Sequence, residues 1–166
     1  MSIMLIIEKK PKEGFRKIAE QGSGLCISRF HPVYLRERYN MDNVELHWLS
    51  ELEGENTIRP DELEKVLNIV SRFAKRHNDA KVLFDGIEYL LLYNGCQNIS
   101  EFLKKLEQLS SNMHFTVMIH LDPDVLGASV ELYEIFAPYF TPQQEEALRQ
   151  TFQVEPNPVV QTVVDR

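Results

Sequence analysis

A chain of 166 residues that is 43% hydrophobic and 26% charged has the composition of a globular protein, long enough to build a core without disulfide or metal staples. Its formal net charge of -7 opposes binding to duplex nucleic acid or to an anionic membrane, and no apolar run approaches the ~20 residues of a membrane helix. Cys26 and Cys96 lie in or beside apolar segments without metal-type spacing, which implies reduced thiols in a cytoplasmic protein.

The first strand is expected over residues 4–7; it is too short for a signal-peptide core and runs into Glu8-Lys9-Lys10 instead of a cleavage site. Lys10-Pro11 ends it and opens a helix over residues 11–20, with Phe15, Ile18 and Ala19 at helical spacing. A second strand over 25–28 leads into Arg29-Phe30-His31-Pro32 and a short helix over 33–39. The third strand, 44–49, sets Val44, Leu46 and Trp48 against Glu45 and His47, the alternation of an edge or near-edge strand. Residues 51–57 are polar and read as a loop. Pro60 is expected to start the clearest helix, whose stripe is Leu63, Val66, Leu67, Val70, Phe73 and Ala74. Acids Asp61 and Glu62 begin it and bases Arg72, Lys75 and Arg76 end it.

Lys81-Val82-Leu83-Phe84 is apolar without alternation, the pattern of a central strand covered on both faces, and it breaks at Asp85-Gly86. The following Tyr89-Leu90-Leu91-Leu92-Tyr93 reads as core or, in part, as an exposed protein-binding patch, and closes at a turn pair, Asn94-Gly95. Asn98 with Glu101 forms a capping-box pattern ahead of Ile99, Phe102, Leu103, Leu106 and Leu109. A last strand over 114–121 stops at Asp122-Pro123, a helix start, and a helix over 128–136 follows with a kink at Gly127. Thr141-Pro142 opens a final helix to about residue 152. Alternating strands and helices imply an α/β fold of three layers, a mostly parallel sheet with helices on both faces. Residues 1–153 are expected to form this domain, and 154–166 either an added edge strand or a loose tail.

In such a fold ligands bind at the carboxyl ends of the strands, where this reading gathers Arg29, Ser50 with Glu51, Asp85 with Glu88, and His120 with Asp122. An apolar strand ending in Asp is the Walker B pattern, whose carboxylate holds hydrated magnesium while a nearby Glu orients water. Its companion, the Gly-x-x-x-x-Gly-Lys-Ser/Thr phosphate loop, is absent. Asp85, Asp122 and His120 are the candidate metal ligands, against a reading of His120 as a hydrogen-bonded strand residue and Asp122 as a helix cap. Arg29 either ties down Asp85 or Asp122 as an ion pair or receives an anion. His31, beside Pro32, reads as a solvated turn residue or a ligand. No nucleophile elbow occurs, and neither cysteine has an activating neighbour in sequence.

The combination of Gly24-Leu25-Cys26-Ile27-Ser28-Arg29, His31-Pro32, Trp48-Leu49-Ser50, Ile58 with Pro60, Asp85-Gly86-Ile87-Glu88-Tyr89-Leu90, Asn94-Gly95 and Leu121-Asp122-Pro123 resembles an archaeal family catalogued as domain of unknown function 835, over residues 3–136. That family is similar to the RecA and KaiC type ATPases, with the Walker B strand kept and the phosphate loop lost. The resemblance implies a RecA-like core and a non-catalytic, cytoplasmic regulatory or signalling module that binds a protein partner or forms a homo-oligomer. It implies no bound cofactor. The alternative is a metal-dependent nucleotide binder or residual hydrolase, with magnesium on Asp85 and Asp122, Glu88 as base and Arg29 on phosphate.

Overall fold

The computed structural model describes residues 3–152. Six parallel strands form one sheet in the order β1-β6-β5-β2-β3-β4, comprising β1 (Ile3–Ile7), β2 (Gly24–Ser28), β3 (Val44–Leu49), β4 (Thr57–Ile58), β5 (Lys81–Phe84) and β6 (Thr116–Leu121). The helices are α1 (Lys12–Ala19), α2 (Pro32–Tyr39), α3 (Leu63–Arg76), α4 (Ile87–Met113), α5 (Pro123–Ala128), α6 (Val130–Phe136) and α7 (Pro142–Phe152). This is the expected three-layer α/β architecture, consistent with a RecA-like core. Among the described residues, no helix is long and apolar enough to cross a membrane.

Strands β2 and β5 are apolar on successive residues because both faces are covered. On one face Phe15 and Ile18 of α1 and Leu35 of α2 pack against Cys26, Leu46, Leu83 and Met118. On the other, Val66, Val70 and Phe73 of α3 and Ile99, Phe102 and Leu106 of α4 meet Leu25, Ile27, Val82, Phe84 and Val117. Burying a side chain of this size contributes about 1.5–3 kcal/mol before chain entropy is charged against it. Cys26 and Cys96 are free thiols.

Several boundaries differ from the sequence reading. The 51–57 loop ends in a two-residue strand, β4, so β3 is a near-edge strand and not the edge. Pro60 and Asp61 precede α3, which begins at Leu63. His114 closes α4 at φ 57° and the last strand begins at Thr116. Asn98 does not cap a helix: the backbone leaves helical geometry at Gly95 (φ 79°, ψ 164°), where the Asn94-Gly95 pair signalled a turn, so α4 is two helical segments, and the Asn98 amide donates back to the Asn94 carbonyl at 2.9 Å. Ahead of Gly95, the Asn94 side chain donates to the carbonyls of Leu90 at 2.7 Å and Pro60 at 2.8 Å, fixing the first turns of α4 to the segment before α3. The break near Gly127 falls at Ser129, whose hydroxyl caps α6.

At the outer edge, Thr141 and Gln144 form a reciprocal capping box at 3.0 Å, and the Gln144 amide also donates to the Leu5 carbonyl of β1 at 2.8 Å. A strand edge is thereby given a donor by the cap of a helix more than a hundred residues away. Residues 154–166, read as edge strand or tail, lie outside the described residues.

The chain leaves β2 toward β3 and leaves β5 toward β6, in opposite directions, so the sheet reverses between β2 and β5. Gly86 follows β5 at this point with φ 112°, a conformation closed to other residues, and a Cβ there meets Arg29 Cγ at 2.6 Å. Gly86→Ala is expected to lose about 1–3 kcal/mol in urea unfolding, through backbone strain and displacement of the Arg29 stem.

Candidate functional site

The reversal point carries a buried polar cluster. Asp85 is 6% exposed and His120 3%. Register sets Ile27 of β2 opposite Phe84 of β5, and Phe84 opposite Ile119 of β6. The next residue along each strand is Ser28, Asp85 and His120, which explains why these three meet. Ser28 Oγ donates to Asp85 Oδ2 at 2.6 Å and accepts from the Phe30 N–H at 2.9 Å. His120 Nδ1 is 3.8 Å from Asp85 Oδ1, too far for a hydrogen bond but within range of a charge interaction. Neither ring nitrogen of His120 has a hydrogen-bond partner among the described residues.

Burial pushes the Asp85 carboxyl above its ordinary value, against the pull of the Ser28 hydroxyl, His120 and Arg29. Burial likewise raises Glu88, opposed by backbone amides, including the N–H of Asp122 that donates to Glu88 Oε1 at 3.4 Å. The Cys26 thiol is held well above its usual range by burial and by the nearby Asp85.

The other acids of this edge are engaged by the backbone. Asp122 Oδ1 accepts from the Asp124 N–H at 2.8 Å and caps α5, as the sequence suggested. Glu8, at the end of β1, turns its carboxylate onto the first turn of α1, where it accepts from the N–H groups of Glu13 at 3.0 Å and Gly14 at 3.2 Å. A helix start is the natural seat of an anion, and here the chain's own carboxylate takes it. Among the described residues, no three His, Cys, Asp or Glu side chains are grouped so as to hold a metal ion.

Arg29 differs from the expectation: it forms no ion pair with Asp85 or Asp122. Its guanidinium lies over the Tyr89 ring, 3.6 Å from the centroid, and its stem covers Gly86. Two features explain this. Ser28 already satisfies the inner carboxylate oxygen, and a guanidinium on a ring face stays in contact with water while a buried pair must desolvate. His31 is a helix cap, with Nδ1 accepting from the Val33 N–H at 3.1 Å. Ser50 Oγ accepts from the Leu52 N–H at 3.1 Å, and Glu51 is exposed beside Tyr93, whose phenol is pushed upward by its hydrogen bond with Tyr89, by burial and then by Glu51.

The strand ends thus bring Ser28, Asp85 and His120 together, with Glu88 and Asp122 joined beside them and Arg29 across the opening. Ser28, Glu8 and Tyr89 were not singled out from sequence for these roles. A polar residue closing an otherwise apolar strand, Gly24-Leu25-Cys26-Ile27-Ser28, was the available signal for the first. For Glu8 it was a carboxylate standing between a strand and a helix start.

Large apolar side chains remain exposed around the same rim: Phe30, Val33 and Tyr34 after β2, Leu52 after β3, and Leu92 and Tyr93 after β5. The Tyr89 to Tyr93 run therefore divides, with Leu90 fully buried and Leu92 83% exposed.

The model of a family described as "Protein of unknown function (DUF835)" matches residues 6–130. No curated protein matches the chain.

Because the folded-state pKa of Asp85 lies above the ordinary 3.8, the folded protein keeps its proton to higher pH than the unfolded chain does. Its stability contribution is full at pH below 3.8 and is lost as pH rises through the folded value. Asp85→Asn keeps an oxygen for Ser28 and cannot ionise, so it should gain on the native protein as pH rises through this window, measured by urea unfolding across a pH series. Ser28→Ala removes the hydroxyl donor and should cost about 1–3 kcal/mol at neutral pH.

Proposed function

For a chain that belongs to the DUF835 family, whose description carries no activity, we propose a non-catalytic regulatory or signalling module that works by binding protein at the carboxyl edge of its sheet. The observation that carries this reading is the internal commitment of the edge. Glu8, Asp85, Glu88 and Asp122 each receive a donor from the chain itself. The Arg29 guanidinium is seated on the Tyr89 ring. Nothing in this arrangement supplies the phosphate cradle that nucleotide chemistry requires.

Protein binding is supported by the exposed apolar side chains of Leu52, Leu92, Tyr93, Phe30 and Tyr34, which follow the carboxyl ends of β2, β3 and β5. The partners of this reading are a signalling protein of the cytoplasm or a second copy of the chain. The parallel three-layer sheet and the apolar strand ending in Asp85 are the features that support descent from RecA and KaiC type ATPases that lost the phosphate loop, an archaeal lineage in this reading.

The test has two arms. Thermal unfolding with magnesium-ATP, magnesium-GTP or manganese is expected to give no shift, because a ligand at about 100 times its Kd adds about 2.7 kcal/mol to any protein that binds it. A rise of several degrees that disappears in Asp85→Asn overturns the proposal in favour of a metal-dependent nucleotide binder. In the second arm, Leu52→Glu with Leu92→Glu is expected to abolish association, with itself or a cognate protein, while leaving the melting temperature within about 2 °C. Association unchanged by that pair counts against the rim.

A further inference from the structure

We propose that the cavity between α1 and α2 is a binding site for a small aromatic anion, a flat ring carrying a phosphate or carboxylate. The cavity, about 470 Å³, lies within the size range of small-molecule sites. Ser28, Asp85, Glu88 and His120 do not line it; two of its rings, Phe30 and Tyr34, also belong to the exposed apolar rim.

Four of its walls are rings: Phe15, Phe30, Tyr34 and Tyr39. They hold one another in place. Phe30 and Tyr34 stack at 5.3 Å, Phe15 meets Phe30 edge-on at 5.7 Å, and Tyr34 meets Tyr39 edge-on at 6.4 Å. Yet Phe30 and Tyr34 stay 39% and 43% exposed, so the cluster presents aromatic surface to the cavity that its own packing does not cover.

The remaining walls include three cations, Lys10, Lys12 and Arg38, and no acid. None of the three has a carboxylate within ion-pair distance among the described residues, whereas Lys9 and Arg16, close by in sequence, do. In a chain of net charge -7, three unneutralised cations around one aromatic cavity run against the overall balance. An apolar ligand would leave the cations unused, and a bare anion would leave the rings wet. A ring joined to an anionic group meets both, with offset stacking or edge contacts on the aromatics and charge-assisted hydrogen bonds to the lysines and the guanidinium.

The probe is 1-naphthyl phosphate, titrated by calorimetry at low ionic strength without magnesium, beside 1-naphthol (ring alone) and inorganic phosphate (anion alone). Naphthyl phosphate should bind with a Kd below about 1 mM, and each part at least about tenfold more weakly. AMP and indole-3-acetate then separate a nucleotide-type from a carboxylate-type source, the tighter of the two naming it. Phe30→Ser, and separately Lys12→Glu with Arg38→Glu, should each weaken naphthyl phosphate about tenfold or more with unchanged circular dichroism, while Lys105→Glu on the opposite face leaves it within about threefold. The proposal is overturned if no aromatic anion binds at millimolar concentration, if 1-naphthol or phosphate binds as well as the joined molecule, or if both sets of variants bind normally. With no magnesium or triphosphate present, such a failure leaves the reading of the Asp85 edge untouched.

Discussion

A carboxyl group buried at the reversal of a parallel sheet needs donors, and much of this molecule's local geometry follows from supplying them to Asp85. Ser28 sits across the strand pair with its hydroxyl 2.6 Å from the carboxylate, itself held by the Phe30 N–H. Turning the chain sharply after Asp85 requires the positive φ of Gly86, and the missing side chain there makes room for the stem of Arg29. Arg29 then reaches Tyr89, one turn into α4. One buried carboxyl group thus ties together the ends of β2 and β5 and the start of α4.

The layers and five of the six strands were legible in the sequence because hydrophobic periodicity reports burial directly; β4, two residues long, is too short to show a period. The unbroken Lys81-Val82-Leu83-Phe84 run could only be a strand covered twice, and the α3 stripe named the residues that pack on it. What stayed hidden were choices between local partners of similar strength. Asn98 has the spacing of a capping box, but the backbone already turns at Gly95, three residues earlier, and Asn98 lies inside the second segment of α4. The Arg29 pairing was similarly open: a guanidinium at a strand end suits either a carboxylate or a ring face, and the choice depends on Ser28, which the one-dimensional pattern shows only as a polar strand terminus. That Asp85, Glu88, His120 and Asp122 share an edge, and that Asp122 caps a helix, was readable; that Ser28 supplies the donor to Asp85 and the Asp122 N–H the donor to Glu88 was not.

Glu8 gives the edge a further property. Being covalently tethered beside the first turn of α1, it competes with any outside anion at an effective concentration in roughly the millimolar range or above. A phosphate arriving at that helix start must displace a carboxylate that never diffuses away. The same electrostatics that make helix starts attractive to ligands are here turned inward, so an anion at this end of α1 must be held by side chains and not by the helix start itself.

The position of β6 has a consequence for how the chain assembles. This strand lies between β1 and β5, pairing Ile3 with Val117 on one side and Val82 with Val117 on the other, so β1 has no neighbour in the sheet until nearly three quarters of the chain has been synthesised. Contacts so distant in sequence form late, since the intervening loop must be closed before any pairing is gained. A nascent chain ending short of residue 116 therefore carries two open strand edges, β1 and β5, both apolar. Folding of this protein should be limited by a single insertion event, and chains arrested before it are the species prone to aggregate.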